Sequence, residues 1–345
     1  MVQCYCNSSS EQSTGIKVIM NWNGKPYHSL DYEMKQRFGT KVYKIALDGG
    51  MTCPNRDGTL GTRGCIFCSE GGSGEFAVPL VRPGHPVPSG HILYAAVHAQ
   101  IAEASERIRR KLGSSPHAYI AYFQSYTNTY APIPYLRTLF YAALEHPDVK
   151  VLSIATRPDC LSEEVLALCE ELNHMKPVWL ELGLQTIHPD TAAFIRRGYG
   201  LGCFEDALTR LRAHGLDAIV HVILGLPGEN REQMLDTIRY LANSDIQGIK
   251  LQLLHVLEGT DLAAVYRKQP FPVMDMDEYL DLILDCIALI PPRIVIHRIT
   301  GDGPKKLLIA PLWSANKRLV LNTLTRRFHE RGIYQGCGIT APSSP

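Results

Sequence analysis

Cys53, Cys65 and Cys68 are spaced C-x11-C-x2-C, in a stretch that also holds Gly49, Gly50, Gly58, Gly61, Gly64, Gly71, Gly72 and Gly74. Thiolates are soft ligands suited to zinc or to iron–sulfur clusters, and glycine lets a backbone wrap closely around a bound group. A structural zinc site normally closes on four ligands. Here the local count stops at three: no cysteine follows until Cys160, and His85 and His91 lie beyond the loop. Three thiolates on a four-iron cluster leave one iron without a protein ligand, and an open metal position signals chemistry. The spacing alone therefore allows an open iron–sulfur site, a zinc site or a coincidence. Cys4, Cys6, Cys160, Cys169, Cys203, Cys286 and Cys337 are scattered, and Cys4 and Cys6 read as incidental.

The elements that position this loop follow one grammar from residue 41 onward: a short apolar run, a loop, then a helical pattern. Strands are expected at Val42 to Leu47, Ala118 to Phe123, Val149 to Ala155, Val178 to Leu184, Ala218 to Leu224 and Ile249 to Val256. Each is a nearly continuous apolar run, as for strands covered on both faces. Helices are expected near 91–112, 133–146, 162–174, 188–214, 229–242 and 276–290. Ser162, followed by Glu163 and Glu164, reads as a helix N-terminus, and Pro227-Gly228 as a strand-to-helix turn. Six strand–helix units in succession mean a parallel sheet with right-handed crossovers, either doubly wound or a complete or partial barrel. Both architectures bind ligands at the C-terminal ends of the strands. No G-x-G-x-x-G follows the first strand and no phosphate-loop signature occurs; Cys203 stands where a dinucleotide fingerprint would need its last glycine. That favours the barrel.

The chain of 345 residues is 45% apolar and 20% charged, which excludes collagen-like, mucin-like and disordered readings. Its apolar runs fall short of the roughly 20 residues that span a bilayer. The polar start, Met1 to Gly15, lacks a secretory pattern, so a reducing compartment, the cytoplasm, is expected. Lys and Arg total 35 against 34 Asp and Glu, but the balance is uneven. His297 to Arg331 holds eight Lys or Arg and two acidic residues, a net of +6, leaving 27 against 32, or −5, elsewhere. Such a segment is either a solvated helix face or a surface for an anionic substrate. The expected organisation is a tail and lead-in over 1–40, the barrel over 41–260, and a C-terminal extension with a basic helix over 261–345.

Cys53-Pro54-Asn55-Arg56-Asp57-Gly58 and Gly64-Cys65-Ile66-Phe67-Cys68 resemble the cluster loop of radical S-adenosylmethionine (SAM) enzymes, including the aromatic residue before the last cysteine. Most of that superfamily has a first gap of three residues. The long gap here is similar to the branch of the Elongator catalytic subunit and its bacterial-type relatives. Further segments follow in the order of that branch: Thr156-Arg157-Pro158-Asp159, Leu180-Glu181-Leu182-Gly183-Leu184-Gln185, Ile195-Arg196-Arg197-Gly198-Tyr199-Gly200, and His221 to Glu229 ending Gly225-Leu226-Pro227-Gly228-Glu229. The resemblance covers about residues 41–260 and extends through His297 to Pro304.

This resemblance implies an α/β fold, a partial (β/α)6 TIM-like barrel, with a [4Fe-4S] cluster on Cys53, Cys65 and Cys68 and with SAM on the open iron. One electron, from a donor such as flavodoxin or ferredoxin, would cleave SAM and yield a 5′-deoxyadenosyl radical that abstracts hydrogen from the substrate. Gln185 and Arg197 match positions that contact SAM in the coproporphyrinogen dehydrogenase branch. His221 stands where that branch carries an acidic residue, and serves either as a contact or as a core histidine. Gln124 and Ser125 occupy the turn that binds the SAM amino group, where the superfamily's usual Gly-Gly-Glu is missing. Glu181 and Asp159 are placed to orient arginines, and His255 and Arg298, ending strands, to face substrate. The Elongator branch acts on the wobble uridine of transfer RNA, which the basic segment would suit. A tRNA wobble uridine whose side chain already exists is thus the expected substrate. The alternative is a zinc-stabilised RNA-binding module without turnover.

Overall fold

The computed structural model describes residues 22–339 apart from 73, 75, 81–87, 114–116 and 302. Cys4, Cys6, His85 and Asp302 lie outside the described residues. In chain order come α1 (Leu30–Phe38), β1 (Tyr43–Leu47), α2 (Gly90–Leu112), β2 (Tyr119–Phe123), α3 (Ile133–Glu145), β3 (Val149–Thr156), α4 (Glu163–Asn173) and β4 (Val178–Gln185). Then follow α5 (Pro189–Phe194), α6 (Leu201–Ala213), β5 (Asp217–Leu224), α7 (Arg231–Ala242), β6 (Gly248–Leu253) and β7 (Val256–Leu257). The chain continues with α8 (Asp261–Lys268), α9 (Met276–Leu289), β8 (Val295–Arg298), β9 (Leu308–Ala310) and α10 (Lys317–Arg331).

Seven strands form one curled parallel sheet in the order β1-β2-β3-β4-β5-β6-β8. Among the described residues no ladder joins β1 to β8, so the structure is a half-barrel. The expected α/β partial barrel is what forms, with one strand more than six units supply. That strand, β8, falls where the apolar run near Ile294 to Ile299 leads a last strand to be expected, and it pairs with β6 from Gly248↔Val295 onward.

Strands β2 to β6 are largely buried on both faces, and the two faces differ. On β4, Leu180, Leu182 and Leu184 join the large core shared with the outer helices, whereas Glu181, Gly183 and Gln185 line the inner cavity. The inner face is layered. At the N-terminal ends of the strands, Val42, Ile120, Val151, Trp179 and Ile219 pack against Met34 of α1, which plugs the barrel floor. Helix α1 was not expected: LDYEMKQRF has too few apolar residues to announce itself. Its Ser29 cap, accepting from Tyr32 N, and Met34, fully buried, hold it in place.

Two expected elements differ from the structure. The helix drawn across 188–214 is two helices, because Arg196 and Gly198 adopt φ of 56° and 85° and end the first at a left-handed turn. The strand drawn to Val256 stops at Leu253; Val256 and Leu257 instead pair antiparallel with β9 in a separate two-stranded sheet. Ser162 caps α4 as expected, accepting from Val165 N. Past the Pro227-Gly228 turn, α7 starts on a capping box in which Asn230 and Gln233 exchange hydrogen bonds.

Candidate active site

The C-terminal ends of the strands open into one cavity of about 1030 Å³, lined by Cys53, Cys65 and Cys68. The loop that carries them folds back on itself, which is how eleven intervening residues leave the first cysteine beside the other two. Cys53 O accepts from Arg56 N at 2.8 Å and from Asp57 N at 3.2 Å, turning the chain directly after the first thiol. Pro54 O accepts from Leu60 N at 2.8 Å, and Asn55 O from Gly64 N at 2.7 Å, so the returning arm lies against the outgoing one. Gly64, at φ 74°, leaves room for the Arg56 guanidinium: a Cβ there would stand 2.8 Å from Arg56 Nε. Arg56 Nη2 in turn donates to Cys68 O at 2.9 Å and Ser69 O at 2.6 Å, closing the loop. Ile66 anchors it below, its N–H donating to Ile195 O at 3.1 Å and its carbonyl accepting from Leu262 N at 2.8 Å.

The thiols border one cavity without converging on a point. Among the described residues, no group of three or more His, Cys, Asp or Glu side chains is gathered tightly enough for a single metal ion. Spread thiolates suit a four-iron cluster, in which each ligand takes a different iron. Burial, helped by the charges of Cys68 and Cys53, pushes the bare Cys65 thiol up to about 12. A metal-bound thiol, by contrast, is deprotonated outright. The donor set therefore fits the cluster better than it fits zinc.

The residues expected to hold SAM come to different places. Gln124 lines the cavity, its N–H donating to Leu47 O at 3.3 Å. Ser125 is not among the lining residues; it is buried, and its side chain fills the space beside Gly74. Gln185 lines the cavity from a left-handed backbone (φ 62°); with its amide turned so that the nitrogen meets acceptors, it donates back to Gly183 O and Leu184 O at 2.9 Å. Arg197 borders the cavity but is 2% exposed, and three carbonyls take its donors: Leu184 O (2.8 Å), Thr186 O (2.6 Å) and Tyr199 O (3.0 Å). His221 lines the cavity with Nε2 2.7 Å from a Glu181 oxygen. Burial, aided by the nearby Lys250 charge, holds this imidazole down at about 4 despite the carboxylate. His255 and Arg298 both line the cavity, as barrel geometry suggested.

Asp159 orients an arginine as expected, pairing with Arg157 at 2.7 and 2.9 Å. Glu181 does not. It lies mid-strand in the layer above the apolar plug and accepts from Lys44 Nζ (2.8 Å), His221 Nε2 (2.7 Å), Ser153 Oγ (2.5 Å) and Lys250 Nζ. Both ammonium groups also stand over the Tyr122 ring, 4.4 and 4.2 Å from its centroid. Burial opposes the Glu181 charge, yet Lys250 and Lys44 together hold its pKa well below the usual carboxylate range. Sequence reasoning missed this layer. Its signal was a single charged residue inside each of three otherwise uncharged strands, YKIAL, VWLELGLQ and GIKLQL, which demands a buried partner. Thr127, also missed, lines the cavity with a buried Oγ1 that has no hydrogen-bond partner.

The cavity lining is rich in Lys and Arg. Among the described lining residues there are nine Lys or Arg and one carboxylate, Glu181. The basic C-terminal segment splits in two. Arg298, Lys305, Lys317 and Arg318 line the cavity, whereas Arg327 and Arg331 on the last turns of α10 pair with Asp281 of α9 at 2.5 and 2.9 Å.

Compared with known families, residues 58–241 match the radical SAM superfamily and residues 246–330 the radical SAM C-terminal domain. The first match alone spans more than half of the chain. The protein belongs to the radical SAM superfamily. Its members are enzymes that use a [4Fe-4S] cluster and SAM, so this radical SAM protein is an enzyme, not a zinc-stabilised binding module. It is similar to YtqA of Bacillus subtilis, 43% identical over 90% of this chain and 92% of YtqA. It is more distantly similar to a tRNA uridine(34) acetyltransferase of Dehalococcoides mccartyi, 30% identical over 47% of this chain and 35% of that protein. In fold it resembles the archaeal Methanocaldococcus infernus Elp3, at a TM-score of 0.60 and 18% identity, over 85% of this chain and 64% of Elp3. No helix among the described residues is long and apolar enough to cross a membrane.

Proposed function

We propose that this radical SAM enzyme acts on a tRNA wobble uridine, altering a side chain that the base already carries. The observation that carries the reading is the exposed part of the cavity lining: Lys111, Lys305, Lys317 and Arg318 stand at the way in to the cysteine loop, and the one carboxylate of the described lining, Glu181, is buried. Sequence-independent attraction of a phosphate backbone calls for such a rim. The nucleotide must leave its stack to reach the barrel interior, and an unpaired loop base does so at least cost. Similarity to a tRNA uridine(34) acetyltransferase supports the same substrate class.

In this reading Cys53, Cys65 and Cys68 hold the cluster, and an electron donor such as flavodoxin or ferredoxin serves it in the cytoplasm. The chemistry supplied by the bound pair is reductive cleavage of SAM and hydrogen abstraction from the substrate. The chain's own residues position and shield. Gln124 and Gln185 face SAM from the ends of β2 and β4, and His221 from the middle of β5. Arg197 and Ser125 act from behind, Arg197 by fixing the Leu184 and Thr186 carbonyls around Gln185. Lys305 and Arg318 meet phosphates at the mouth. Residues 41–260 supply six strands of the catalytic barrel, and 261–345 supply the seventh, β8, together with the extension that carries these cations.

The test is anaerobic reconstitution, with iron and sulfide analysis, an assay for 5′-deoxyadenosine, and mass spectrometry of nucleosides from tRNA treated with the enzyme. The expected result is cluster uptake and SAM cleavage that both fail in Cys53→Ala, Cys65→Ala and Cys68→Ala, with a mass change confined to the wobble uridine. SAM cleavage with every tRNA nucleoside unchanged, across tRNA pools from strains lacking the enzyme, would overturn the substrate reading alone.

A further inference from the structure

Asn55 stands between two of the three cysteines in sequence and is 6% exposed. Its Nδ2 reaches three acceptors: Arg196 O at 2.8 Å, Arg197 O at 3.3 Å and Cys65 Sγ at 3.6 Å. The two carbonyls belong to the left-handed turn between α5 and α6, so a distant segment fixes the amide. The other side of the amide is fixed too. Gly198 sits at φ 85°, and a Cβ there would lie 2.8 Å from Asn55 Oδ1 and 3.2 Å from Arg157 Nη2. Arg157 completes the clamp, its Nη1 donating to Arg197 O at 2.9 Å. An amide held by carbonyls on one face and by a glycine on the other cannot swing away from the sulfur. The Ile195 to Gly200 segment, noted in the sequence for Arg197, thus has a second task in the Asn55 clamp.

We infer that Asn55 is a positioning residue that donates an N–H···S hydrogen bond to the Cys65 thiolate and thereby sets how readily the cluster accepts its electron. The inference rests on Cys65 being a cluster ligand. Reduction adds negative charge to the cluster and its sulfurs, and a hydrogen bond to a ligand sulfur stabilises that charge. Removing the donor therefore favours the oxidised cluster. The bond is present in both oxidation states, so only its strengthening on reduction moves the equilibrium; a full hydrogen bond to a charged group, about 1.5 kcal/mol, sets an upper limit of about tenfold. For a one-electron couple, tenfold corresponds to about 59 mV.

The experiment is an EPR-monitored redox titration of the reconstituted full chain without SAM, on wild type, Asn55→Ala and Asn55→Asp, with iron and sulfide measured on each sample. The expected result is a cluster in all three that is harder to reduce by between twofold and about tenfold in Asn55→Ala, and harder still in Asn55→Asp, which adds a negative charge while keeping the shape. Should Asn55→Ala fail to fold, Asn55→Asp carries the comparison, and Gly198→Ala, which pushes on Oδ1 with the amide still present, must shift the equilibrium in the same direction. Equal midpoints in loaded wild type and variants would overturn the inference while leaving the cysteine assignment intact. A wild-type chain that takes up no cluster would instead overturn the assignment on which it rests.

Discussion

Replacing Glu181 with Gln removes one negative charge from a site where two ammonium groups depend on it. The side chain is fully buried and accepts from Lys44, Lys250, His221 and Ser153. Glutamine keeps the shape, but its NH2 presents hydrogens to donors and leaves Lys250, whose side chain is 3% exposed, without a counter-charge. Lys44, at 21%, can still reach water. Breaking a buried ion pair by removing one partner costs about 3–5 kcal/mol, most of it the penalty for the charge left behind. Urea denaturation at pH 7 should show a loss of that size in Glu181→Gln. The sharper test is the double variant Glu181→Gln with Lys250→Met, which removes the stranded charge along with the carboxylate. It should recover more than half of the loss, giving a coupling energy well outside additivity. Losses that simply add, or a Glu181→Gln cost below about 1 kcal/mol, would refute the view that this layer is an interdependent ion cluster. Because the Glu181 pKa is depressed on folding, its contribution is present above the unfolded carboxylate range and is lost as pH falls through the lower folded value.

His221 gives a separate pH signature. Its pKa is lowered from 6.5 to about 4, so between those values the unfolded chain binds the extra proton and stability falls on acidification, by roughly 3 kcal/mol in all. His221→Gln should flatten stability against pH in that window; an unchanged slope would place the imidazole in water. At the mouth, Lys305→Ala and Arg318→Ala should each weaken tRNA binding and reduce the logarithmic salt slope by about 1, measured by filter binding across a salt series. Slopes equal to wild type would remove both side chains from the phosphate path. Asn230→Ala should cost about 1 kcal/mol in urea denaturation by deleting the α7 capping box, and no change would mean that Gln233 caps alone.

The relation between sequence and structure differs between the frame and its interior. Strand positions in β1 to β5 were legible to within a residue or two. A parallel strand covered by helices on one side and filled on the other reads as a continuous apolar run, and each run was bounded by loop residues. The cysteine loop was legible for another local reason: ligand type, spacing and glycine content lie within 25 residues or so, and a metal-binding loop must be built that way. The helix across 188–214 was misjudged because the apolar period continues through Ile195, Leu201 and Phe204. Only the backbone sign at Arg196 and Gly198 breaks it.

What the sequence by itself determined is the order of parallel strands, the loop that presents three thiols, and an uneven distribution of basic residues. What only the tertiary structure decided is which of these groups meet. Lys44 and Glu181 are 137 residues apart and touch because the sheet curls, a property of strand twist and tilt that no local pattern encodes. The same curl sets Lys250 and His221 on the one carboxylate and leaves the rest of the lining cationic. It also buries Arg197 against carbonyls, though its motif suggested a ligand contact. The division of the basic segment, four of its eight cations toward the cavity and two against α9, likewise depends on where Asp281 stands in the packed helix pair. Charge is written along the chain, but its partners are assigned by packing.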